Sequence, residues 1–441
     1  MTKTTNRKLF YLTIIIGLIG CNPKENTMYK IETISTSDKG HMLHHNSSFD
    51  SNDQWLVFDT RNDETKIGQT GEIGIVNVET KEEKIIYLTH DQSVYGPGVG
   101  AVSFHPQKNR IIFIHGLLDA HKGTPYGPTR RFGMMVDLKK PFQGIPADSR
   151  DVTAPYLSGT LRGGSHSHCW SEDGEMISFT YNDEFVNPEL RTVGVMLKPE
   201  NDNAVDHADG NIQGQYFSAI VAQVVAEPVY GTDQIAKAFD ECWLADPDHW
   251  SNPTIVFQGT TKNKEGGDVI EIFKVEIDRQ KILQDNFAVG KEGEPVGVPK
   301  GILAKRLTHS VHGLSDIRHW LRSSPDGKFI YALTKDNRGF NQIARCNVAT
   351  GELTTISNLD FSIESPINID PKGQKIVFVS GNNIYLFDLK SKKAERITDF
   401  STRDSSLVGV PVFSRKGSLL AFNQFVEEDG RNNVQIKIVR L

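Results

Sequence analysis

Cysteine is scarce in this sequence. There are 4 cysteines in 441 residues, and one of them, Cys21, belongs to the N-terminal apolar run. The other three, Cys169, Cys242 and Cys346, are odd in number and widely spaced, which does not make a disulfide framework. A small disulfide-stapled fold is therefore excluded, and we expect free buried thiols in strands at Cys169 and Cys346.

The sequence also lacks an excess of positive charge and several catalytic signatures. The formal net charge is −6, so the chain has no basic footprint for nucleic acid. The sequence has no phosphate-binding P-loop, no G-x-S-x-G elbow and no H-E-x-x-H pair. Nucleotide-dependent chemistry, serine hydrolysis and zinc proteolysis are therefore disfavoured.

Only the N-terminus has a long apolar run. Basic residues precede the apolar stretch Leu9–Ile19, which is the pattern of an export signal, and its end resembles the lipobox of bacterial lipoproteins. The run is short for a membrane-spanning helix, although a simple membrane anchor is the alternative. We expect a signal peptide over residues 1–21, a lipid on Cys21, a tether over 22–27, and a location in the cell envelope outside the cytoplasm, on the periplasmic or surface face.

Short strands joined by polar turns repeat along the rest of the chain. Each copy runs from a bulky residue, through a turn such as Asp-Gly, to the end of the next apolar strand, which is a hairpin signal. Six copies and a degenerate seventh occur: Phe49–Phe58, Phe104–Phe113, Trp170–Phe179, Ser323–Ala332, Ile369–Phe378, Phe413–Phe422 and Trp243–Phe257. Further strands lie between the copies. We predict an all-β, seven-bladed β-propeller of four-stranded antiparallel blades over residues 28–441.

Three stretches stand outside the repeat. The apolar segment Tyr29–Ser35 precedes the first copy and is expected to supply an outer strand to the last blade, which would close the ring. Residues 199–232 and 262–305 interrupt the rhythm, and we interpret them as long excursions from the third and fourth blades.

The S-P-D-G-like turns resemble those of TolB-type propellers. The segments 153–183, Arg191–Val195 and 317–327 look like an uncharacterised family of bacterial propeller proteins, which is itself similar to the seven-bladed oligogalacturonate lyases. This resemblance implies a propeller. It implies a reaction less directly, because propellers host lyases, hydrolases and scaffolds alike.

Histidines recur at one position of the repeat. His45, His166 and His319 lie four residues before the start of their copies, and His168 follows His166 by two residues, so that both side chains should leave the same face of a strand. Equivalent positions of the inner strands converge on the mouth of a propeller channel. We therefore expect a divalent metal site made by these four histidines, with His45 the weakest candidate and His44 its equal by sequence. The alternative is that they are polar rim residues bonded to backbone carbonyls.

In the oligogalacturonate lyases, a manganese ion held by three histidines and a glutamine binds the uronate carboxylate for β-elimination. The resemblance thus implies manganese at His166, His168 and His319, with zinc or iron as alternatives, but no glutamine or base of this chain matches the lyase. The candidate catalytic residues are Arg162, Arg318 and Asp183.

Two functions follow from these observations. The first is a metal-dependent enzyme acting on acidic carbohydrate, most concretely a uronate lyase. The second is a non-catalytic, TolB-like binding platform for a protein or glycan of the envelope. In both cases we expect a monomer whose partners are a membrane, through the lipid on Cys21, and an acidic oligosaccharide or an envelope protein.

Overall fold

The structure, a computed structural model, describes residues 1, 29–199, 204–247, 252–401, 406–428 and 430–441. The predicted signal peptide, the lipidation site Cys21 and the tether 22–27 lie outside this range. No helix in the part that is described is long and apolar enough to cross a membrane.

Strands dominate the architecture. Among the residues described, the helical elements are a 3-10 turn, Ile67–Gln69, and one short α-helix, α1 (Arg279–Gln284). In chain order the strands are β1 (Ile31–Thr33), β2 (Trp55–Asp59), β3 (Glu72–Asn77), β4 (Glu83–Leu88), β5 (Val99–Phe104), β6 (Arg110–Gly116), β7 (Arg131–Asp137), β8 (Gly144–Pro146), β9 (Ser149–Arg150), β10 (Thr160–Leu161), β11 (Gly164–Trp170), β12 (Met176–Asn182), β13 (Arg191–Leu197), β14 (Phe217–Ile220), β15 (Lys237–Trp243), β16 (Thr254–Lys262), β17 (Asp268–Glu276), β18 (Lys305–Arg306), β19 (Arg322–Ser323), β20 (Phe329–Lys335), β21 (Asn341–Asn347), β22 (Leu353–Thr355), β23 (Asn368–Ile369), β24 (Lys375–Ser380), β25 (Asn383–Asp388), β26 (Lys393–Arg396), β27 (Leu407–Phe413), β28 (Leu419–Glu428) and β29 (Arg431–Arg440).

Apart from β9 and β10, which pair as a separate parallel two-stranded sheet, these strands form seven antiparallel blades, as predicted. Blade one is β2-β3-β4, with the segment before β2 bridged to it at Met42 and Phe49. Blades two to six are β5–β8, β11–β14, β15–β18, β19–β22 and β23–β26, and blade seven is β27-β28-β29-β1. First strands of neighbouring blades contact one another, for example β11 with β5 and β15, so they ring a central channel.

The ring closes through the two ends of the described chain. Strand β1 pairs antiparallel with β29, with Ile31 opposite Val439. It is the outer strand of the last blade, and this confirms the expectation for Tyr29–Ser35. The ring of blades therefore has no open end, and its closure protects the sheet edges.

Apolar layers between neighbouring blades hold the ring together. Val195 of blade three packs with Phe257 and Phe273 of blade four, and equivalent clusters lie between the other blades. The run Arg191–Val195 has a glycine at its fourth position because Gly194 pairs with Phe179 across the sheet, and a Cβ there would collide with the ring of Phe179.

Both predicted excursions contain blade strands. Residues 199–232 include β14, which completes blade three, and residues 262–305 include β17 and the start of β18 of blade four. The prediction of plain excursions was therefore wrong for these strands. The long turns around them hid the repeat, because β18 has only two residues and follows a loop that carries α1.

Candidate functional site

Bulges reshape the inner strands at the end of the channel where these strands begin. In blades two, three, four and seven the register with the next strand shifts. In blades two, three and four the bulge holds a residue other than glycine in the left-handed region: Ala101 with φ 54°, Ser167 with φ 57° and Asp240 with φ 52°. Such backbone costs free energy and concentrates at functional sites.

The bulge at Ser167 lies between two of the predicted metal ligands. His166 pairs with Thr180, whereas the next paired residue is Cys169, opposite Ser178. The strict alternation of an extended strand is lost between His166 and Cys169. Simple alternation therefore does not decide which faces His166 and His168 leave, and His168 contributes to the lowered pKa of His166.

His168 is held from behind by a hydrogen-bonded chain. Its Nε2 lies 2.9 Å from the hydroxyl of Ser165, which lies 3.0 Å from Oδ2 of Asp148. Oδ1 of Asp148 accepts the backbone N–H of Gly133 at 2.7 Å. Burial raises the pKa of Asp148 to about 6 and lowers the pKa of His168 to about 3. His168 is therefore neutral, and its Nδ1 has no partner within the described chain.

The lone pair of His166 faces an arginine. Nη2 of Arg191 lies 3.0 Å from Nε2 of His166. Arginine can only donate hydrogen bonds, so Nε2 is the accepting nitrogen and the proton of the neutral ring is on Nδ1. That Nδ1–H is buried and has no partner among the residues described.

The lone pairs of His45 and His319 are also occupied. Nδ1 of His45 accepts a hydrogen bond from Nη2 of Arg322 at 3.1 Å, and its ring stacks on Trp320 with the centroids 3.6 Å apart. In His319, Nδ1 donates to the carbonyl of Ile317 at 2.7 Å, and Nε2 accepts the N–H of Leu333 at 3.1 Å. His319 therefore has the structural role that the alternative reading gave it.

These four histidines do not fit the predicted metal centre. A neutral imidazole has one lone pair to offer, and in His45, His166 and His319 that lone pair already accepts an N–H. Consistent with this, no group of three or more His, Cys, Asp or Glu side chains is placed to hold a metal ion within the described ranges.

Arginines surround the histidines instead. We call this region the histidine mouth and define it by His44, His166, Arg131, Arg191 and Arg318. The pKa of His166 is lowered well below its usual value, first by burial and then by the charges of the three arginines. His44, with a pKa of about 3, is depressed first by burial and then by neighbouring arginines that include Arg318.

The three arginines are only partly neutralised. The guanidinium of Arg318 is 61% exposed, lies 4.5 Å over the ring of Trp320 and is 3.8 Å from Asp240. Burial, followed by the repulsion of Arg318 and Arg131, lowers the pKa of Arg191, against the attraction of Asp240. The Nε–H groups of Arg131 and Arg191 are buried without a partner in the described structure.

Two acidic residues stand near these arginines. Burial raises the pKa of Asp240, and it raises the pKa of Glu241 to about 7. Glu241 accepts a hydrogen bond from the hydroxyl of Thr180 at 2.8 Å. Because Glu241 is only partly ionised near neutral pH, the mouth keeps an excess of positive charge, which favours an anionic ligand.

Two of the three candidate catalytic residues have structural roles. Arg162 is buried, donates to the carbonyls of Lys291 at 3.1 Å and Glu294 at 2.8 Å, and lies 4.3 Å over the ring of Tyr156. It thereby fastens the loop of blade four to blade three. Asp183 caps a turn, since its Oδ1 accepts the N–H of Val186 at 2.7 Å. Only Arg318 lies at the histidine mouth.

The sequence analysis did not select Arg131 or Arg191 as site residues. Each is the first residue of the third strand of its blade, β7 in blade two and β13 in blade three. A basic residue at the same repeat position of adjacent blades was the available signal, but it appears only once the blade boundaries are known.

The cysteines allow a direct chemical test. Cys169, Cys242 and Cys346 are free and buried, and burial raises the pKa of Cys169 to about 11 and those of Cys242 and Cys346 to about 12. Since the thiolate is the reactive form, we expect all three thiols of protein starting after Cys21 to resist Ellman's reagent at mildly alkaline pH. They should react fully in denaturant. Rapid labelling of one thiol in the native protein would contradict this burial.

Comparison with known proteins places the chain in a family. Residues 98–209 match the family described as "Protein of unknown function (DUF3748)". Over 407 residues the chain is 31% identical to "Uncharacterized protein YidR" of Escherichia coli (strain K12), covering 89% of this chain and 94% of that protein. The chain belongs to the YidR family. The matched segment 98–209 contains Arg131, His166 and Arg191 of the histidine mouth.

Solved structures similar to this YidR family member include a lyase and a TolB protein. An oligogalacturonate lyase in complex with manganese superposes with a TM-score of 0.53 at 11% identity, covering 95% of this chain and 94% of that chain. TolB from Acinetobacter baumannii matches with a TM-score of 0.39 at 14% identity, over 88% and 80% of the two chains. The likeness to the lyase is a likeness of fold, and it agrees with the family resemblance found from sequence.

Proposed function

We propose that this protein binds an acidic saccharide at the histidine mouth, where the guanidinium groups of Arg131, Arg191 and Arg318 receive its carboxylate. The observation that supports this is the excess of guanidinium groups over ionised carboxylates there. A guanidinium matches a carboxylate with two parallel N–H groups. The buried, unpartnered Nε–H groups of Arg131 and Arg191 are donors that such a ligand would satisfy.

The shared fold suggests which acid to try first. An oligogalacturonate lyase has the same overall architecture, and oligogalacturonate repeats a carboxylate along a sugar chain. We therefore take oligogalacturonate as the first ligand. We also propose that this binding takes place outside the cytoplasm, with the protein tethered through the lipid predicted on Cys21.

Recognition of this kind draws only on side chains of the protein. The metal-dependent β-elimination implied by the family resemblance, with manganese, zinc or iron, stays a prediction. It is not part of this proposal, because three of its four proposed ligands offer no free lone pair in this structure. The histidines contribute in another way, since the buried Nδ1–H of His166 is a further donor at the mouth.

The test is a binding titration with protein starting after Cys21. Trigalacturonate should bind, and a neutral galactose trisaccharide should not, with an affinity that falls as salt is added. Replacing Arg318 by glutamine removes one charge-assisted contact and should weaken trigalacturonate binding about tenfold. Isothermal titration calorimetry measures both, with and without a chelator, and the chelator should change nothing.

The matched control is Arg345→Gln. Arg345 is exposed and lies 4.4 Å over the ring of Phe329, much as Arg318 lies 4.5 Å over Trp320, but it is on β21 and away from the mouth. It should leave the affinity unchanged. Equal binding of the neutral sugar, or no effect of Arg318→Gln, contradicts the proposal and favours the non-catalytic scaffold. Loss of binding on chelation would instead restore the predicted metal site.

A further inference from the structure

A cavity lies at the end of the channel opposite the histidine mouth, where the inner strands run into their hairpin turns. Its volume is about 530 Å³, and residues from all seven blades line it, among them Asn46, Pro106, Trp170, Trp243, Asn368 and Arg415. We call it the turn cavity. Its size is in the range of small-ligand sites, which are concave and carry a few polar groups on apolar walls.

Arg322 closes the floor of the turn cavity. Its guanidinium donates to Oδ1 of Asn368, to the carbonyl of Leu321 at 3.0 Å and to the carbonyl and Nδ1 of His45 at 3.2 and 3.1 Å. It therefore joins blades five, six and one across the channel. The turn cavity is a bowl with a polar floor, separated by Arg322 from the region of His45 and the histidine mouth.

The walls of the bowl carry both apolar and polar side chains, and two donors there have no partner among the described residues. Met176, Trp243 and Leu244 line it. Trp170 also lines it, is only 7% exposed, and its indole N–H has no partner in the described part of the chain. The same holds for Nη2 of Arg415, whose pKa is lowered by burial in spite of Asp53 and Asp50 nearby.

Charges of opposite sign face each other across the rim. Arg415 belongs to the hairpin turn of blade seven. Glu172 and Asp173, in the turn of blade three, and Asp246, after the inner strand of blade four, supply carboxylates. In a ring of seven, blades three and four are the ones farthest from blade seven. The rim therefore carries a cation on one side and carboxylates on the other, and the indole rings of Trp170 and Trp243 belong to the same two blades as the carboxylates.

We infer that the turn cavity binds a small zwitterion with an apolar body, most concretely a short apolar peptide with free ends. Its C-terminal carboxylate pairs with Arg415, its ammonium group faces the carboxylates of blades three and four, and its side chains cover Trp243 and Leu244. Capture of a free peptide terminus is an established recognition mode, and a guanidinium group matches a carboxylate with two parallel N–H groups. The site is distinct from the histidine mouth and does not depend on the acidic saccharide.

The probe is the dipeptide Leu-Phe, compared with its N-acetyl and C-amide forms. Because Trp243 lines the cavity, binding should change tryptophan fluorescence, and calorimetry gives the affinity independently. Leu-Phe should bind saturably, and blocking either end should weaken it about tenfold. Trigalacturonate and Leu-Phe should bind together without competing.

Two variants decide the assignment. Arg415→Gln should abolish the difference in affinity between Leu-Phe and its C-amide. Arg396→Gln is the control, since Arg396 lies on the outer strand β26 and its side chain is 49% exposed, and this variant should keep the difference. A preserved difference in Arg415→Gln overturns the inference, as does the absence of saturable Leu-Phe binding by the wild type. Ala245→Phe, which fills the cavity, should abolish binding of Leu-Phe while trigalacturonate still binds.

Discussion

Replacing Asp59 by alanine should lower the free energy of unfolding by about 3–5 kcal/mol, because it leaves a buried guanidinium without its partner. Oδ1 of Asp59 accepts Nε of Arg61 at 2.6 Å, and Oδ2 accepts Nη2 of Arg61 at 2.8 Å. Asp59 is fully buried and Arg61 is 5% exposed. Oδ2 also accepts the N–H of Ala101 at 2.8 Å, so the same carboxylate supports the left-handed bulge of blade two.

Chemical denaturation of the purified protein measures this effect. Asp63→Ala serves as the control, since the Asp63 side chain is exposed, lies two positions after Arg61 and accepts hydrogen bonds from Thr65. The control should unfold at the wild-type midpoint. An Asp59→Ala midpoint close to the wild type would mean that Arg61 finds another carboxylate or reaches water, and the buried pair would then not stabilise the contact of blades one and two.

Replacing Arg322 by methionine is the second change with a large expected effect. It keeps roughly the volume of the side chain but leaves Oδ1 of Asn368, Nδ1 of His45 and the carbonyl of Leu321 without their donor. An unsatisfied buried acceptor costs about 1–3 kcal/mol. We expect a total loss of about 3 kcal/mol in the free energy of unfolding, less than three full penalties because the adjoining turn cavity lets water approach.

Arg345→Met controls for the loss of an arginine from the same blade, and should leave the unfolding midpoint unchanged because Arg345 is exposed. The affinity of the Arg322→Met protein for Leu-Phe is a second quantity to measure. With the floor gone, His45 becomes able to offer its lone pair elsewhere, and the turn cavity deepens. An unchanged midpoint together with unchanged Leu-Phe affinity would show that Arg322 does not hold the floor.

Most of the fold is predictable from sequence because its signals are local. The sequence has polar turn residues in the first hairpin of each blade, and in blades three, five, six and seven the turn has a glycine with positive φ, as Gly174 and Gly327 do at 73° and 67°. These turns mark the first hairpin of each blade, and their number predicts a ring of seven blades. Outer strands such as β14 and β18 have few residues and little pattern, so the sequence alone left them inside apparent excursions.

The site is less predictable because its chemistry depends on hydrogen bonds between distant residues. Equivalent positions of the repeat do place His166 in the inner strand β11, His319 just before the inner strand β19, and His45 in the segment that is bridged to blade one. Which nitrogen of each ring is free, however, is decided by Arg322, Arg191 and the backbone of Leu333. The bulge at Ser167 is a further local departure that no alternation of polar and apolar residues announces. Spacing therefore located the histidines and could not assign their role.

The closure of the ring by β1 and β29 has a consequence for the order of folding. A chain made from its N-terminus produces β1 long before its partner β29, so that β1 stays unpaired until synthesis is nearly complete. Pairings between such distant segments form late, because the loop between them must be ordered first. Blades two to six can form from neighbouring strands as they emerge. The channel acquires its two ends only when β29 arrives, and a chain interrupted before Arg431 would contain sheets but neither the histidine mouth nor the turn cavity in finished form.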